Sequence, residues 1–219
     1  MVTLVFVAVL LVAVALDQWV ISPWETKHRP RATVASDSAT EFVVPRTLFF
    51  HPGHAWARLD DDGLVTVGMD DLARTLIGEI SSVELPTVGT RVTAGQPAIG
   101  IRHGERRLRL AAPVGGTVTQ INPSLGSDAV RLRWRPYREG WALRLAPGDK
   151  FSTELSGLVI GRDAQRWMST ELDRLGSLFE RGVLSPPVEG ALQHAGDDAW
   201  PLFERDVLKI EGGPGERLA

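Results

Sequence analysis

Between residues 47 and 150, glycine and proline repeatedly cut this chain into short β-rich runs. Examples are Leu64-Val65-Thr66-Val67, Ile80-Ser81-Ser82-Val83, Ala98-Ile99-Gly100-Ile101, Leu108-Arg109-Leu110, Gly116-Thr117-Val118 and Trp141-Ala142-Leu143-Arg144-Leu145. Ile99 and Ile101 alternate with other residues, as do Leu108 and Leu110. Such alternation sends one strand face into a core and the other toward water, so Arg107 and Arg109 are expected on the water side. One short helix is predicted at Asp70–Ile77. Asp70 can cap it, and Leu72, Ala73, Leu76 and Ile77 supply a helical stripe. Many short strands with little helix restrict the region to a sandwich or a barrel.

The flanks have a different character. Residues 2–16 are apolar except for one hydroxyl, and they carry no charge. As a helix this run spans roughly 22 Å, and about 30 Å with Val20 and Ile21 included. Trp19 and Trp24 fall where an interfacial aromatic belt lies, and Lys27, Arg29 and Arg31 follow. No basic residue precedes the run, so the positive-inside bias places the C-terminal side in the cytoplasm. Residues 1–22 are therefore read as a single-pass transmembrane anchor, with the following domain on the cytoplasmic face. A signal peptide cleaved near Ala13-Val14-Ala15 and a buried helix are the alternatives. Residues 23–46, with Pro23, Pro30 and Pro45, read as a tether with an end-to-end distance of roughly 25 Å. Residues 151–219 read as a helical extension. Trp167, Met168, Leu172, Leu175 and Phe179 form an amphipathic stripe within Asp163–Glu180, to be packed on the chain's own domain. Ser185-Pro186-Pro187 breaks the chain, Trp200–Ile210 is a second short helix, and Gly212–Gly215 marks a loose end.

Within residues 47–150, several motifs arise in a familiar order. They are His54-Ala55-Trp56, Val67-Gly68-Met69-Asp70 with Ala73, Leu76-Ile77-Gly78-Glu79-Ile80, and Val83-Glu84-Leu85-Pro86 with Gly89. Gly95, Ala112-Pro113-Val114-Gly115-Gly116-Thr117-Val118, Ile121-Asn122-Pro123-Ser124-Leu125 and Pro136 with Gly140-Trp141 follow. Each is weak alone; together they resemble the H protein of the glycine cleavage system. The resemblance implies a mainly β fold, a lipoyl-like barrel-sandwich hybrid. It also implies a lipoyl group carried on one lysine at the tip of a β-hairpin.

Three departures from the family pattern stand out. Counting back from Pro113, the lysine position falls on Glu105, within the tip Arg102-His103-Gly104-Glu105-Arg106. Lipoylation forms an amide with a side-chain amine, which a carboxylate does not supply. The lysines of the chain are Lys27, Lys150 and Lys209, all far from this hairpin. Residues 126–134 also differ from the family's polar loop, and H proteins normally lack an apolar N-terminus.

Other candidate sites give way to plainer readings. His51 and His54 lack the further ligands a metal needs, and the resemblance makes His54 structural. His103 and Glu105 have no nucleophile or oxyanion element beside them, and a loop tip does not exclude water. Gly115-Gly116 reads as a hairpin turn, since no helix start follows it. A net charge of −3 and a pI near 6.0 give no reason to expect nucleic acid.

The sequence thus points to a membrane-anchored, non-enzymatic H-like adaptor without a lipoyl group or metal. Arg102, His103, Glu105, Arg106 and Arg107 are its candidate docking residues for an unidentified protein partner. A working lipoyl carrier is the alternative. A membrane-fusion-type transport adaptor is a second alternative, disfavoured by the short tether.

Overall fold

The computed structural model describes residues 42–127, 135–184, 186 and 188–210. The expected anchor (1–22), most of the tether, the Gly212–Gly215 end and much of the 126–134 departure lie outside the described residues. Among the described residues, no helix is long and apolar enough to cross a membrane.

The short runs form two antiparallel sheets, and the described fold is mainly β. The larger sheet contains β1 (Phe49–Phe50), β2 (Ala55–Leu59), β3 (Val65–Met69), β5 (Arg91–Val92), β8 (Gly116–Ile121), β9 (Trp141–Pro147) and β10 (Val159–Ile160), in the order β10-β1-β2-β3-β9-β8-β5. The smaller sheet contains β4 (Ser82–Glu84), β6 (Pro97–His103) and β7 (Arg106–Ala111), in the order β4-β6-β7. Val65, Val67 and Leu145 of the first sheet share one core with Ile99, Ile101, Leu108 and Leu110 of the second. This arrangement is consistent with the lipoyl-like sandwich expected from the motifs. Gly115-Gly116 is not a hairpin turn. β7 belongs to the small sheet while β8 pairs with β5 and β9, so the glycines stand where the chain changes sheets.

Helix α1 (Asp71–Ile77) starts as its sequence requires: the Asp70 carboxylate accepts the Ala73 amide at 2.9 Å. Leu72, Ala73, Leu76 and Ile77 are all buried. Two short helices, α2 (Pro123–Ser127) and α3 (Phe151–Ser156), follow later in the chain.

The extension contributes α4 (Gly161–Glu180) and α5 (Ala199–Asp206). The buried face of α4 is Ala164, Met168, Glu171, Leu175 and Leu178, which shifts the expected stripe. Leu172 is 39% exposed, and Glu171 points inward instead. The reason is local: Glu171 is held by the Arg174 guanidinium and faces the buried His54.

Leu184, Leu192, Trp200, Phe203, Val207, Leu208 and Ile210 are buried in the same core as the sheets. Each such side chain contributes about 1.5–3 kcal/mol when taken from water. The described part of the extension therefore belongs to the same packed unit as the sheets.

Candidate functional site

The β6–β7 hairpin is built by strict pairing. Ile101 opposes Leu108, Arg102 opposes Arg107, and His103 opposes Arg106 as the closing pair. Two residues, Gly104 and Glu105, make the turn. Gly104 has φ of 58° and Glu105 does not enter positive φ, the pattern of a type II′ turn, which matches strand twist. The Gly104 amide donates to Ser81 Oγ at 3.0 Å. Glu105 is exposed at the turn, so the residue expected at the tip is at the tip.

The five candidate docking residues have different surroundings. Arg102 Nη1 lies 3.1 Å from Glu84 Oε1, and Arg107 Nη2 lies 2.6 Å from Glu84 Oε2. One carboxylate thus serves two half-exposed guanidinium groups on the outward face of the hairpin.

His103 and Arg106 belong to the other side. His103 Nδ1 contacts the Glu79 carbonyl at 2.9 Å, and because a carbonyl only accepts, this nitrogen carries the proton. The imidazole stacks on the Trp200 indole with centroids 5.7 Å apart. The Arg106 guanidinium sits 5.0 Å from the Trp200 ring centroid and pairs with Asp197. The His103 ring is therefore engaged by main chain and indole and is not poised beside a reacting group.

Arg109 does not face water. It is 3% exposed and Glu204 is 8% exposed. Its Nε donates to Glu204 Oε1 at 2.9 Å, and its Nη2 donates to Oε2 at 3.1 Å. The strand alternation does put Arg109 on the outward side of β7, but α5 covers that position.

The second candidate constellation is structural. His54 is fully buried with φ of 64°, and its Nδ1 bonds Asp70 Oδ2 at 2.8 Å. Asp70 thus caps α1 with one oxygen and fixes His54 with the other. His54 Nε2 lies 3.9 Å from Glu171 Oε2, and Trp167 packs on the ring at 5.2 Å. His51 Nδ1 instead accepts the Gly53 amide at 2.9 Å. Burial, reinforced by neighbouring His54, holds the His51 imidazole below its ordinary pKa. Among the described residues, no three His, Asp or Glu side chains gather as a metal site.

An open cleft of about 910 Å³, lined by Val43, Arg58, Arg74, Arg135, Tyr137 and others, was not visible in the sequence. Its arginines are largely committed: Arg58 pairs with Asp60, Arg74 with Asp71, and Arg135 with Glu139. The Tyr137 hydroxyl donates to the Val43 carbonyl at 2.7 Å and accepts the Asp71 amide at 3.0 Å. Burial, together with the nearby Asp70 and Asp71 charges, pushes this phenol above its ordinary pKa.

Asp197, Trp200 and Glu204 escaped the sequence reading of the site. Trp200 was legible as part of a short helix, but nothing local says which surface that helix covers.

Comparison with known proteins agrees with the motifs. A family model described as Glycine cleavage H-protein matches residues 48–171, more than half of the chain. The glycine cleavage system H protein of Alkalilimnicola ehrlichii is 34% identical over 128 residues, covering 58% of this chain and 97% of that protein. The protein of the same description from a Psychrobacter species is 38% identical over 115 residues, covering 52% of this chain and 91% of that one. A glycine cleavage system H protein from Mycobacterium marinum, known from its crystal structure, is 26% identical. It covers 52% of this chain and 97% of that chain at a TM-score of 0.45, a likeness too loose to add weight. Asp197, Trp200 and Glu204 all lie beyond the residues that the family model matches.

Proposed function

This chain belongs to the glycine cleavage H-protein family, and we propose that it is a non-enzymatic adaptor without a lipoyl group, held at a membrane, that offers its hairpin to a protein partner. The observation that carries this reading is Glu105 in the hairpin turn, where the family resemblance calls for a lysine. Neither described lysine substitutes for it. Lys150 stands just before α3, and Lys209 follows α5 with Nζ donating to the Asp206 carbonyl at 2.6 Å. Neither sits in a hairpin turn.

The apolar run at residues 2–16 and the basic residues after it support an anchor with the domain on the cytoplasmic side. The partner-facing surface is the outward side of the hairpin: Arg102, Arg107 and the tip residue Glu105. Two guanidinium groups share the single Glu84 carboxylate there, and Glu105 adds a second carboxylate at the tip, so the surface offers paired charges of both signs that can set the orientation of a polar partner. The reading is tested by crosslinked capture from native membranes, comparing wild type with an Arg102→Ala/Glu105→Ala/Arg107→Ala variant. A stoichiometric partner lost in the variant supports it. A partner retained in full moves the interface elsewhere.

The carrier reading is favoured by the description of the relatives as glycine cleavage system H proteins. It requires an amine at the tip, and Glu105 supplies a carboxylate.

A further inference from the structure

Residues 190–208 follow a path with three fixed points. They first bind the end of α1, where the last carbonyls lack intrahelical partners. The Gly190 amide donates to the Thr75 carbonyl at 2.8 Å, and the Leu192 amide donates to the Leu76 carbonyl at 3.0 Å. Gln193 Nε2 donates to the Ile77 carbonyl at 2.8 Å. They then reach the hairpin tip. Trp200 stacks on His103 and lies under the Arg106 guanidinium, while Asp197 pairs with Arg106. Finally they press on the loop before β2, where a Cβ at Gly53 would stand 2.3 Å from the Leu208 carbonyl oxygen.

The middle of this path runs along the open edge of the small sheet. In the order β4-β6-β7, β7 has no strand on its far side among the described residues. Edge strands expose amides that invite another chain. Here the Arg109 amide is taken by Glu204 Oε1 at 2.8 Å, so a side chain of α5 occupies the place of a neighbouring strand.

We infer that residues 190–208 close one side of the hairpin in cis, so that a protein able to bind only by clasping both sides of the tip is shut out. The lipoyl-attaching enzyme is the probe of this closure, because it must take the tip residue into its own active site. The inference rests on the reading of the hairpin as a docking element that carries no lipoyl group. The closure begins one residue from position 105, at Arg106. It is not a mobile lid, since Trp200, Phe203 and Leu208 are core residues. The hairpin is consequently presented by the tip end of its outward face, at Arg102 and Arg107, while α5 covers that face farther along at Arg109. Loss of the carrier lysine and closure by the extension are then two separate obstacles to modification.

The test uses three forms of the full chain in a lipoylation-competent host: wild type, Glu105→Lys, and Glu105→Lys with Asp197→Ser and Trp200→Leu. Each is checked for a cooperative thermal transition and then read by intact mass and by the peptide spanning residue 105. If Trp200→Leu prevents folding, Trp200→Phe with Asp197→Ser replaces it. The expected result is little or no lipoylation of Glu105→Lys and clear lipoylation once the closure is loosened. Equal modification of both lysine variants overturns the closure, and so does modification of neither. Lipoylation of wild type sinks the non-carrier reading instead, and leaves the comparison of the two variants at residue 105 intact.

Discussion

Arg109 and Glu204 meet across 95 residues of sequence and form a buried two-point ion pair, with the Arg109 amide bound to the same carboxylate. This contact joins the family-like sandwich to a segment that the family model does not include. Removing one partner strands a buried charge, which costs about 3–5 kcal/mol. Glu204→Ala is therefore expected to lower the unfolding free energy by that amount, read as a lower urea midpoint with little change in slope. Arg109→Met combined with Glu204→Leu should recover most of the loss, because both charges leave together.

His51 gives the fold a pH dependence near neutrality. Burial and the neighbouring His54 hold its folded pKa below the ordinary value. The unfolded chain then binds the proton more readily than the folded one. This contribution to stability is fully present above about pH 6.5 and is lost as pH falls through the lower folded pKa. Thermal melts from pH 7.5 downward should show the decline. In His51→Asn, which keeps an acceptor for the Gly53 amide, the curve should be flatter over that window.

A second pH window belongs to Asp60. Burial pushes its carboxyl upward, but hydrogen bonds from Thr66, Arg58 and Arg144 outweigh this and hold it below the usual range. Arg144 also bonds Asp62, which ties the β2–β3 turn to β9. Stability from this cluster is present above the unfolded value near about 3.9 and disappears as pH falls through the folded pKa. Acid unfolding of Asp60→Asn should start from a less stable protein and show a shallower slope below pH 4.

Asp70 serves α1 and His54 at once. Asp70→Ala removes a helix cap, worth about 1 kcal/mol, and leaves a buried ring nitrogen unpaired at about 1–3 kcal/mol. Asp70→Asn keeps one acceptor oxygen for the Ala73 amide and turns its NH2 donor toward His54 Nδ1, which can accept it in the other tautomer, so it should be the milder change in chemical denaturation. The reverse order would contradict the assigned hydrogen bonds.

Much of the fold was legible because it is written locally. The Asp70 cap, the Leu72 to Ile77 stripe and the Ile99, Ile101, Leu108 and Leu110 alternation each declare themselves within a few residues. β1, β5 and β10 were not visible, since two residues are too short to show a period. On α4, Glu171 reads as a surface charge, and only the buried His54 across from it explains its inward position. The turn at Gly104-Glu105 was readable; its closure was not. Periodicity correctly places Arg109 on the outward side of β7, yet whether that side meets water depends on a helix far along the chain.

At the tip itself, Glu105 is exposed and forms no side-chain hydrogen bond or ion pair among the described residues. Glu105→Ala should leave stability within about 0.5 kcal/mol of wild type, as expected for such surface positions. Any effect on partner capture can then be read as an effect on binding.

The most direct test of the central claim is the intact mass of the full-length chain, purified with its membrane from a host that lipoylates its own proteins. The expected result is the mass of the unmodified polypeptide. A mass increased by one lipoyl group, localised to Lys27, Lys150 or Lys209, would contradict it and return the chain to the carriers.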